Sequence, residues 1–177
     1  REGDILVLAG SIPATLPKNI YEIIMERLSG KGIRFIVDAT GELLLNVLKY
    51  KPFLIKPNHH ELAELFNATI ENEDDIVIYA KKLREMGAQN VLISRAGDGA
   101  IFVTEKDEII KSDVPKGTLI NSVGAGDSMV GGFIAGYLKN KSLEEAFKMG
   151  VATGSASAFS EGLATKEKVY ELLNQIL

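Results

Sequence analysis

Residues 5–38 read ILVLAGSIPATLPKNIYEIIMERLSGKGIRFIVD, and the order of predicted elements within them indicates the fold class. It opens with the apolar run Ile5–Ala9 and closes with a second run at 33–37, and short continuous runs of this kind are typical of strands buried on both faces. Between them apolar residues recur at helical spacing over 17–28, and Gly30 marks the end of that helix. Strand, helix and strand in this order predict a βαβ unit with parallel strands.

The same alternation continues along the chain. The next predicted elements are a helix at 41–49, a strand at 53–55, helices at 61–66 and 74–86, and a strand at 91–93. Segments 100–104 and 108–112 then flank Lys106-Asp107 and predict a hairpin, followed by a short strand at 118–120 and three helices. We therefore expect one α/β domain over 1–177, with a mostly parallel, three-layer, Rossmann-like sheet that carries helices on both faces. A capping box, Ser142 with Glu145, is predicted in the last third.

Composition excludes several classes of function. The 177 residues are 46% hydrophobic and 25% charged, which is typical of a globular protein. The net charge of −4 argues against a nucleic-acid partner. With no cysteine and only His59 and His60, the chain has no disulfide, no thiolate nucleophile and no zinc site of the cysteine or three-histidine kind. No apolar run reaches the ~18 residues of a membrane span, and residues 1–4 are not a signal peptide, so we expect a cytoplasmic protein with no membrane partner.

Residues 121–127, NSVGAGD, carry the clearest chemical signal, and they precede a predicted helix at 128–138. Glycines at a helix start leave backbone N–H groups uncovered, and the helix dipole makes that place attractive to phosphate. Because a carboxylate would repel a phosphate beside it, Asp127 makes sense if a hydroxyl lies between them. Asp127 would accept the hydroxyl proton, while the N–H groups stabilise the transferred phosphoryl group. The alternative is a tightly packed helix start with an acidic residue that the dipole favours.

Residues 58–61, NHHE, follow a strand and start a helix, and they allow two interpretations. Asn58 and Glu61 have the spacing of a helix cap. They could equally hold the waters of a Mg²⁺ ion that bridges nucleotide phosphates, because Mg²⁺ keeps several waters and needs few carboxylates. Adjacent His59 and His60 point to different sides of a helix, which makes them a poor metal pair.

Two further turns follow predicted strands. Ser94 to Gly99 links a strand to the hairpin, and turn chemistry alone explains its composition, although Ser94 and the glycine backbone could also contact nucleotide phosphates. Gly10 and Ser11 leave the first strand and could form a simple exit turn.

Together these segments resemble the ribokinase-like (PfkB) family of sugar kinases, over essentially the whole chain. Residues 121–134, NSVGAGDSMVGGFI, resemble the C-terminal signature of the family, and KPNHHE at 56–61 resembles its N-x-x-E motif. Residues 94–99 are similar to its nucleotide-phosphate turn, with a glycine at Gly97 where the family has it one residue earlier. GSIP at 10–13 resembles the branch that phosphorylates sugar phosphates.

The resemblance implies a role for each matched position. Asp127 would take the proton of the sugar hydroxyl, and the N–H groups of Gly124, Ala125 and Gly126 would form the anion hole. Asn58 and Glu61 would bind Mg²⁺ and the phosphates, largely through water. Ser94, Gly97 and Gly99 would contact the nucleotide, and the start of a helix at Val151 to Ser155 would line the adenine pocket. Gly10 and Ser11 would contact the sugar.

The resemblance also implies what surrounds this chain. Family members have a further N-terminal part with the first βαβ units and a β-sheet lid over the sugar, through which relatives often dimerise. We therefore expect the chain to be the C-terminal, nucleotide-side part of a kinase that uses ATP and Mg²⁺ on a sugar phosphate, with a homodimer as one possible state. Without the lid, we expect this part to have little or no turnover, because catalysis depends on positioning and on water exclusion. Within the family, the resemblance favours fructose 1-phosphate as the substrate, with tagatose 6-phosphate, or hexose phosphates in general, as the alternative. An alternative of another class is a nucleotide-binding module without catalysis.

Overall fold

The computed structural model describes residues 1–176, and this part of the chain contains six strands and seven α-helices. The strands are β1 (Ile5–Ala9), β2 (Arg34–Asp38), β3 (Leu54–Ile55), β4 (Asn90–Ser94), β5 (Ala100–Val103) and β6 (Ile109–Ser112). The helices are α1 (Ile20–Leu28), α2 (Gly41–Val47), α3 (His59–Phe66), α4 (Glu73–Glu85), α5 (Ala125–Asn140), α6 (Leu143–Ala158) and α7 (Lys166–Leu173). Within residues 1–176, no helix combines the length and the hydrophobicity of a transmembrane span.

The six strands form one sheet in the order β1-β2-β3-β4-β5-β6. The first four strands are parallel to their neighbours, with Val7 opposite Ile36 and Leu54 opposite both Ile36 and Asn90. Each connection contains at least one helix, so the predicted parallel βαβ units and the α/β class are confirmed. The predicted hairpin is present as β5 and β6, closed by a hydrogen bond from Thr104 N to Glu108 O of 3.0 Å.

The described chain divides into two compact units. The N-terminal unit holds residues 1–93 and 102–109, and the C-terminal unit holds 94–101 and the residues from 110 onward. In the N-terminal unit, β2, β3 and β4 bury most of their side chains. Buried Asn90 donates to Phe53 O at 2.8 Å and accepts from Glu105 N at 3.0 Å, so its amide is satisfied by backbone on both sides.

The prediction that β1 is buried on both faces is wrong. In β1 only Leu8 is buried, whereas Val7 is 38% exposed. The reason is that β1 is the first strand in the sheet order and pairs with β2 alone among the described strands. An apolar run therefore identified the strand but not the extent of its burial.

In the C-terminal unit, α5 and α6 pack at close range because small residues face each other. A Cβ on Gly132 would lie 2.3 Å from Thr153 Oγ1, and one on Gly136 would lie 2.9 Å from Ala146 Cα, which leaves no room for any side chain at either glycine. On another side, α6 packs against α7 through a small cluster of buried apolar residues, namely Ala152, Ala156, Phe159, Val169 and Leu172.

Three predicted details of the elements differ from the structure. Segment 118–120 is not a strand, because the N–H groups of Ile120 and Asn121 both donate to Ala158 O, at 2.9 and 3.0 Å, instead of to a neighbouring strand. The first helix starts at Ile20, after a turn closed by Ile20 N and Pro17 O. The Ser142 cap forms only in part: Ser142 Oγ accepts from Glu145 N at 3.3 Å, while the Glu145 carboxylate accepts from Asn140 Nδ2.

Candidate active site

Asp127 lies in the first turn of α5, with its side chain exposed. The helix begins at Ala125, three residues earlier than predicted, because Gly124 takes a left-handed conformation (φ +77°) as the residue before the helix. A glycine reaches this conformation without the strain that a Cβ would bring. The carboxylate therefore stands at the positive end of the helix, where an anion is favoured.

The backbone N–H groups at this helix start are only partly free. The first intrahelical bond runs from Ser128 N to Gly124 O at 2.9 Å, so α5 itself supplies no acceptor for the N–H groups of Gly126 and Asp127. Ala125 N, however, donates to Ser122 O at 3.2 Å. The expectation of a free N–H at Ala125 is therefore wrong in this structure, because residues 122–125 close a turn. Gly124, Gly126 and Asp127 remain as candidate donors.

The turn that leads into α5 is held by Asn121. Its Oδ1 accepts from Val123 N at 3.0 Å, and its own N–H is bound by Ala158 O at the end of α6. This arrangement fixes the chain immediately before Gly124. Val123 itself is 84% exposed, so the loop presents its side chain to solvent.

The predicted nucleotide turn leaves β4 at half-buried Ser94. It is closed by Arg95 N donating to Gly99 O at 2.8 Å and by a short 3₁₀ turn over Ala96–Asp98. At the start of this turn the residue with a positive φ is Ala96 (φ 50°), not Gly97. Gly99 is also left-handed, and a Cβ there would lie 1.9 Å from Ser112 O. Glycine is thus required at Gly99, while the position that would benefit from glycine at the start of the turn carries alanine.

The predicted adenine-pocket residues lie elsewhere in their helix than expected. Val151 and Ser155 are in the middle of α6, which begins at Leu143, so they are not at a helix start. They are only 1% and 8% exposed. The helix start implied by the resemblance is therefore wrong, because α6 is capped by Ser142, well before Val151. In this structure Val151 is a core residue.

In the N-terminal unit, Asn58 and Glu61 form a complete capping box at the start of α3. Asn58 Oδ1 accepts from the N–H groups of His60 and Glu61 at 2.9 Å, and Glu61 Oε2 accepts from Asn58 N at 2.8 Å. The cap interpretation is therefore confirmed. It leaves the metal interpretation open, because a capping carboxylate keeps its other oxygen, Oε1, for a second partner.

Within residues 1–176, no group of three or more histidine, cysteine, aspartate or glutamate side chains is arranged to hold a metal ion. This donor set still fits Mg²⁺, which binds through one or two carboxylates, several waters and substrate phosphates. The capping hydrogen bond fixes the orientation of the Glu61 carboxylate, so its remaining oxygen has a defined direction. The rings of His59 and His60 lie 3.9 Å apart between their centroids and are tilted by 39° to each other.

The carboxyl ends of β1, β2 and β3 bring together a second polar group that sequence reasoning did not assign. Lys56 Nζ lies 3.2 Å from Asp38 Oδ1, and Lys56 is buried. Exposed Gly10 donates its N–H to Asp38 O at 3.2 Å, and Ser11 follows it. The signal available in the sequence was a lysine placed directly after an apolar strand and before Pro57.

The Tyr21 side chain, in α1, is hydrogen-bonded to the end of β1. Its hydroxyl donates to Ala9 O at 2.7 Å and approaches Gly10 O at 3.1 Å. Burial, and to a smaller extent the negative charge of Asp38, raises the pKa of Tyr21 above its ordinary value of 10.0. The turn that carries Gly10 and Ser11 is thus attached to both α1 and β2.

Comparison with known proteins identifies the family. A family model described as pfkB family carbohydrate kinase matches residues 1–169. The chain belongs to the pfkB family of carbohydrate kinases. The resemblance drawn from the motifs is therefore confirmed.

Two curated relatives and one solved structure show how near this pfkB chain lies to characterised kinases. It is 52% identical over 176 residues to the 1-phosphofructokinase of Bacillus subtilis, covering 99% of the chain and 58% of the relative. It is 35% identical to the D-tagatose-1-phosphate kinase of Bacillus licheniformis, covering 98% of the chain and 57% of the relative. The phosphofructokinase-2 of Escherichia coli, solved in complex with substrates and products, superposes with a TM-score of 0.88 at 33% identity, over 99% of the chain and 58% of that structure.

The pfkB chain spans somewhat more than half of the length of these relatives. The likeness to the Escherichia coli enzyme extends over almost the whole chain, which confirms the expected ribokinase-like α/β fold.

Proposed function

We propose that the whole protein to which this chain belongs transfers the γ-phosphoryl group of ATP to fructose 1-phosphate, giving ADP and fructose 1,6-bisphosphate. The observation that carries the proposal is the position of Asp127. An exposed carboxylate stands in the first turn of α5, beside N–H groups that the helix leaves without acceptors. The 52% identity to the 1-phosphofructokinase of Bacillus subtilis supports the choice of sugar phosphate.

The reaction would use these groups as follows. The oxygen of the C6 hydroxyl attacks the γ-phosphorus of ATP, the bond from that phosphorus to the bridging oxygen of ADP breaks, and the hydroxyl proton passes to the Asp127 carboxylate. The N–H groups of Gly124, Gly126 and Asp127 would donate to the oxygens of the transferred group, where charge spreads in the transition state. A site that only bound phosphate would gain nothing from a second negative charge. The carboxylate at this helix start therefore favours a catalytic role for Asp127.

The remaining assignments concern binding. We propose that Ser94 and the backbone of Gly97 and Gly99 contact the nucleotide, since the 94–99 turn follows a strand at its carboxyl end, where ligands bind in such sheets. By the same rule Gly10 and Ser11, which follow β1, would contact the sugar. Ser155 and Val151 keep only an indirect role, because α6 buries both.

Asn58 and Glu61 are proposed to hold Mg²⁺ through water molecules. When bound, the ion would neutralise phosphate charge. The protein contributes a carboxylate that the Asn58 N–H keeps in one orientation. This role does not compete with the cap, since one carboxylate oxygen serves each.

A second substrate is favoured by a specific finding, the 35% identity to a D-tagatose-1-phosphate kinase. Tagatose and fructose differ only in the configuration at one carbon, so both could present the same hydroxyl to Asp127. Tagatose 6-phosphate, the alternative suggested by the family resemblance, would have to present a different hydroxyl because its C6 oxygen already carries phosphate.

The deciding experiment measures kcat/KM of the full-length protein with ATP and Mg²⁺ for fructose 1-phosphate, tagatose 1-phosphate, fructose 6-phosphate and tagatose 6-phosphate. We expect the largest value for fructose 1-phosphate and a smaller one for its tagatose epimer. A larger value for either 6-phosphate would overturn the substrate assignment. ATP binding without turnover of any of the four would favour a non-catalytic nucleotide-binding module.

A further inference from the structure

The α5 turn that carries Asp127 is joined to α6 by a partly buried hydrogen bond between two serines. Ser157 Oγ donates to Ser128 Oγ at 2.8 Å, and Ser157 is only 4% exposed. Ser128 directly follows Asp127 in α5, and its own N–H makes the first intrahelical bond of that helix, to Gly124 O. The bond from α6 therefore reaches the point at which the regular hydrogen bonding of α5 begins.

A second contact lies one turn earlier on the same face of α6. A Cβ on Gly154 would lie 3.1 Å from both Ala125 O and Met129 Cβ, a separation that few real side chains tolerate. Gly154 and Ser157 are three residues apart and share a helix face. The backbone of α6 thus touches the first residue of α5 directly, with the serine pair beside it.

These two contacts lie at the first turn of α5, where the helix has the fewest hydrogen bonds of its own. The first turn of a helix lacks intrahelical partners for its N–H groups, so its conformation depends on outside contacts. Further along, close packing at Gly132 against Thr153 already fixes α5. The serine pair extends this fixed region to the end that carries the carboxylate.

We propose that Ser157 is a positioning residue, which acts through Ser128 to set the direction of the Asp127 carboxylate and of the neighbouring N–H groups. This proposal rests on the function proposed above. Groups that act on the reacting phosphoryl group must be placed to a fraction of an ångström, and small displacements there lower the rate of the chemical step. Their misplacement therefore reduces kcat, whereas ground-state binding of ATP changes little.

The test compares Ser157→Ala with Ser160→Ala in the full-length protein. Ser160 is the matched control, because it follows the same end of α6 and its hydroxyl donates to Ala156 O at 2.8 Å and accepts from Lys168 Nζ at 3.1 Å, contacts that do not reach α5. For Ser157→Ala we expect kcat to fall about 3- to 10-fold, the size of effect expected for one lost hydrogen bond, with KM for ATP within about twofold of the parent. Ser160→Ala should leave both parameters near those of the parent protein.

Two further sets of variants keep the interpretation unambiguous. Ser128→Ala combined with Ser157→Ala should lower kcat no more than the larger single effect, because both remove the same bond. Gly154→Ala should also lower kcat, since the new methyl group displaces Ala125 or Met129, while Gly131→Ala in the same helix pair meets nothing within 4 Å and should not.

The outcomes separate this proposal from the proposed function. An unchanged kcat for Ser157→Ala, or an equal loss for Ser160→Ala, would overturn the positioning role even if Asp127→Asn abolishes turnover. Additive losses in the double variant would also contradict it. If Ser157→Ala does not fold, Gly154→Ala against Gly131→Ala decides, and equal kcat for that pair overturns the proposal. Full turnover by Asp127→Asn would instead refute the proposed function and this inference together.

Discussion

Lys56 Nζ and Asp38 Oδ1 lie 3.2 Å apart at the carboxyl ends of neighbouring parallel strands, with side chains only 7% and 17% exposed. The sheet register creates this pair, because Val37 is opposite Ile55 and the next residue on each strand is the aspartate and the lysine. The two charges therefore lie beside the turn that carries Gly10, whose N–H donates to Asp38 O.

Removing one member of this pair should destabilise the protein more than removing both charges. We expect Lys56→Met to cost about 3 kcal/mol in the free energy of unfolding, because Asp38 is left charged in a poorly solvated place. Asp38→Asn combined with Lys56→Met should cost less than Lys56→Met alone. Urea unfolding of Lys56→Met, Asp38→Asn and the double variant tests this, and a double variant that loses the sum of both single costs would contradict it.

The hydroxyl of Tyr21 should stabilise the fold in a pH-dependent way. Its pKa is raised above 10.0, mainly by burial, so the unfolded chain ionises first as the pH rises. The stability contributed by protonated Tyr21 is fully present below pH 10.0 and is lost as the pH rises through the higher pKa of the folded state.

We therefore expect Tyr21→Phe to be less stable than the parent by about 1 kcal/mol at neutral pH, the usual cost of one lost hydrogen bond. The difference should shrink above pH 10.0. Parallel denaturation series of the two proteins measure it, and the other tyrosines cancel because both proteins contain them. A difference that stays constant through this range would show that the hydroxyl has no raised pKa.

Replacing Ala96 with glycine should make the folded protein more stable. Its φ of 50° costs an alanine about 1 kcal/mol or more, because its Cβ crowds the neighbouring carbonyl. Ala96→Gly removes this strain and should stabilise the protein by a few tenths to about 1 kcal/mol, after the larger unfolded-state entropy of glycine is subtracted.

The matched change is Gly97→Ala, one residue later. A Cβ at Gly97 meets nothing within 4 Å, and this glycine does not have a positive φ. Gly97→Ala should therefore leave the melting temperature unchanged or raise it slightly. If Ala96→Gly lowers the melting temperature instead, the left-handed conformation of the turn is not what limits its stability.

Most features that depend on residues close together in the sequence were predicted correctly. The strands and helices of the βαβ units follow from apolar runs and periodicity, and the capping pair Asn58 and Glu61 follows from its spacing. The motif at 121–127 located the helix start to within three residues, with Gly124 supplying the left-handed conformation.

Features that depend on distant partners could not be predicted. Segment 118–120 has strand-like residues, but Ala158, far along the chain, accepts from the N–H groups of Ile120 and of Asn121 after it. The burial of β1 depends on which strands flank it, and the N–H of Ala125 is occupied because of a turn with Ser122. The Lys56 and Asp38 pair required the sheet register, which no single segment specifies.

Two capping boxes of the same kind, each with a carboxylate that accepts from the N-cap N–H, allow the metal role of Glu61 to be separated from its structural role. Asn72 and Asp75 form the second box, at the start of α4, and no metal role is proposed for them. Glu61→Gln keeps an oxygen that can accept from Asn58 N but loses the charge. We expect it to raise the Mg²⁺ concentration needed for half-maximal activity by about tenfold or more, as outer-shell ligand changes do.

Asp75→Asn is the control, with a stability cost of about 1 kcal/mol or less and an unchanged Mg²⁺ requirement. Activity titrations with Mg²⁺ at saturating ATP compare the two variants. Equal Mg²⁺ curves for Glu61→Gln and the parent would limit Glu61 to capping α3.

The most direct measurement is the turnover of Asp127→Asn in the full-length protein, alongside calorimetric titration with ATP. Asparagine preserves the size and exposure of the side chain at the start of α5 but cannot take a proton. We predict that kcat falls by a factor of about 10² to 10⁴, as expected for the loss of a general base, while ATP binds at least as tightly because a repelling charge is gone. Near-normal turnover, with the fold intact, would contradict the role of Asp127 and with it the proposed phosphoryl transfer.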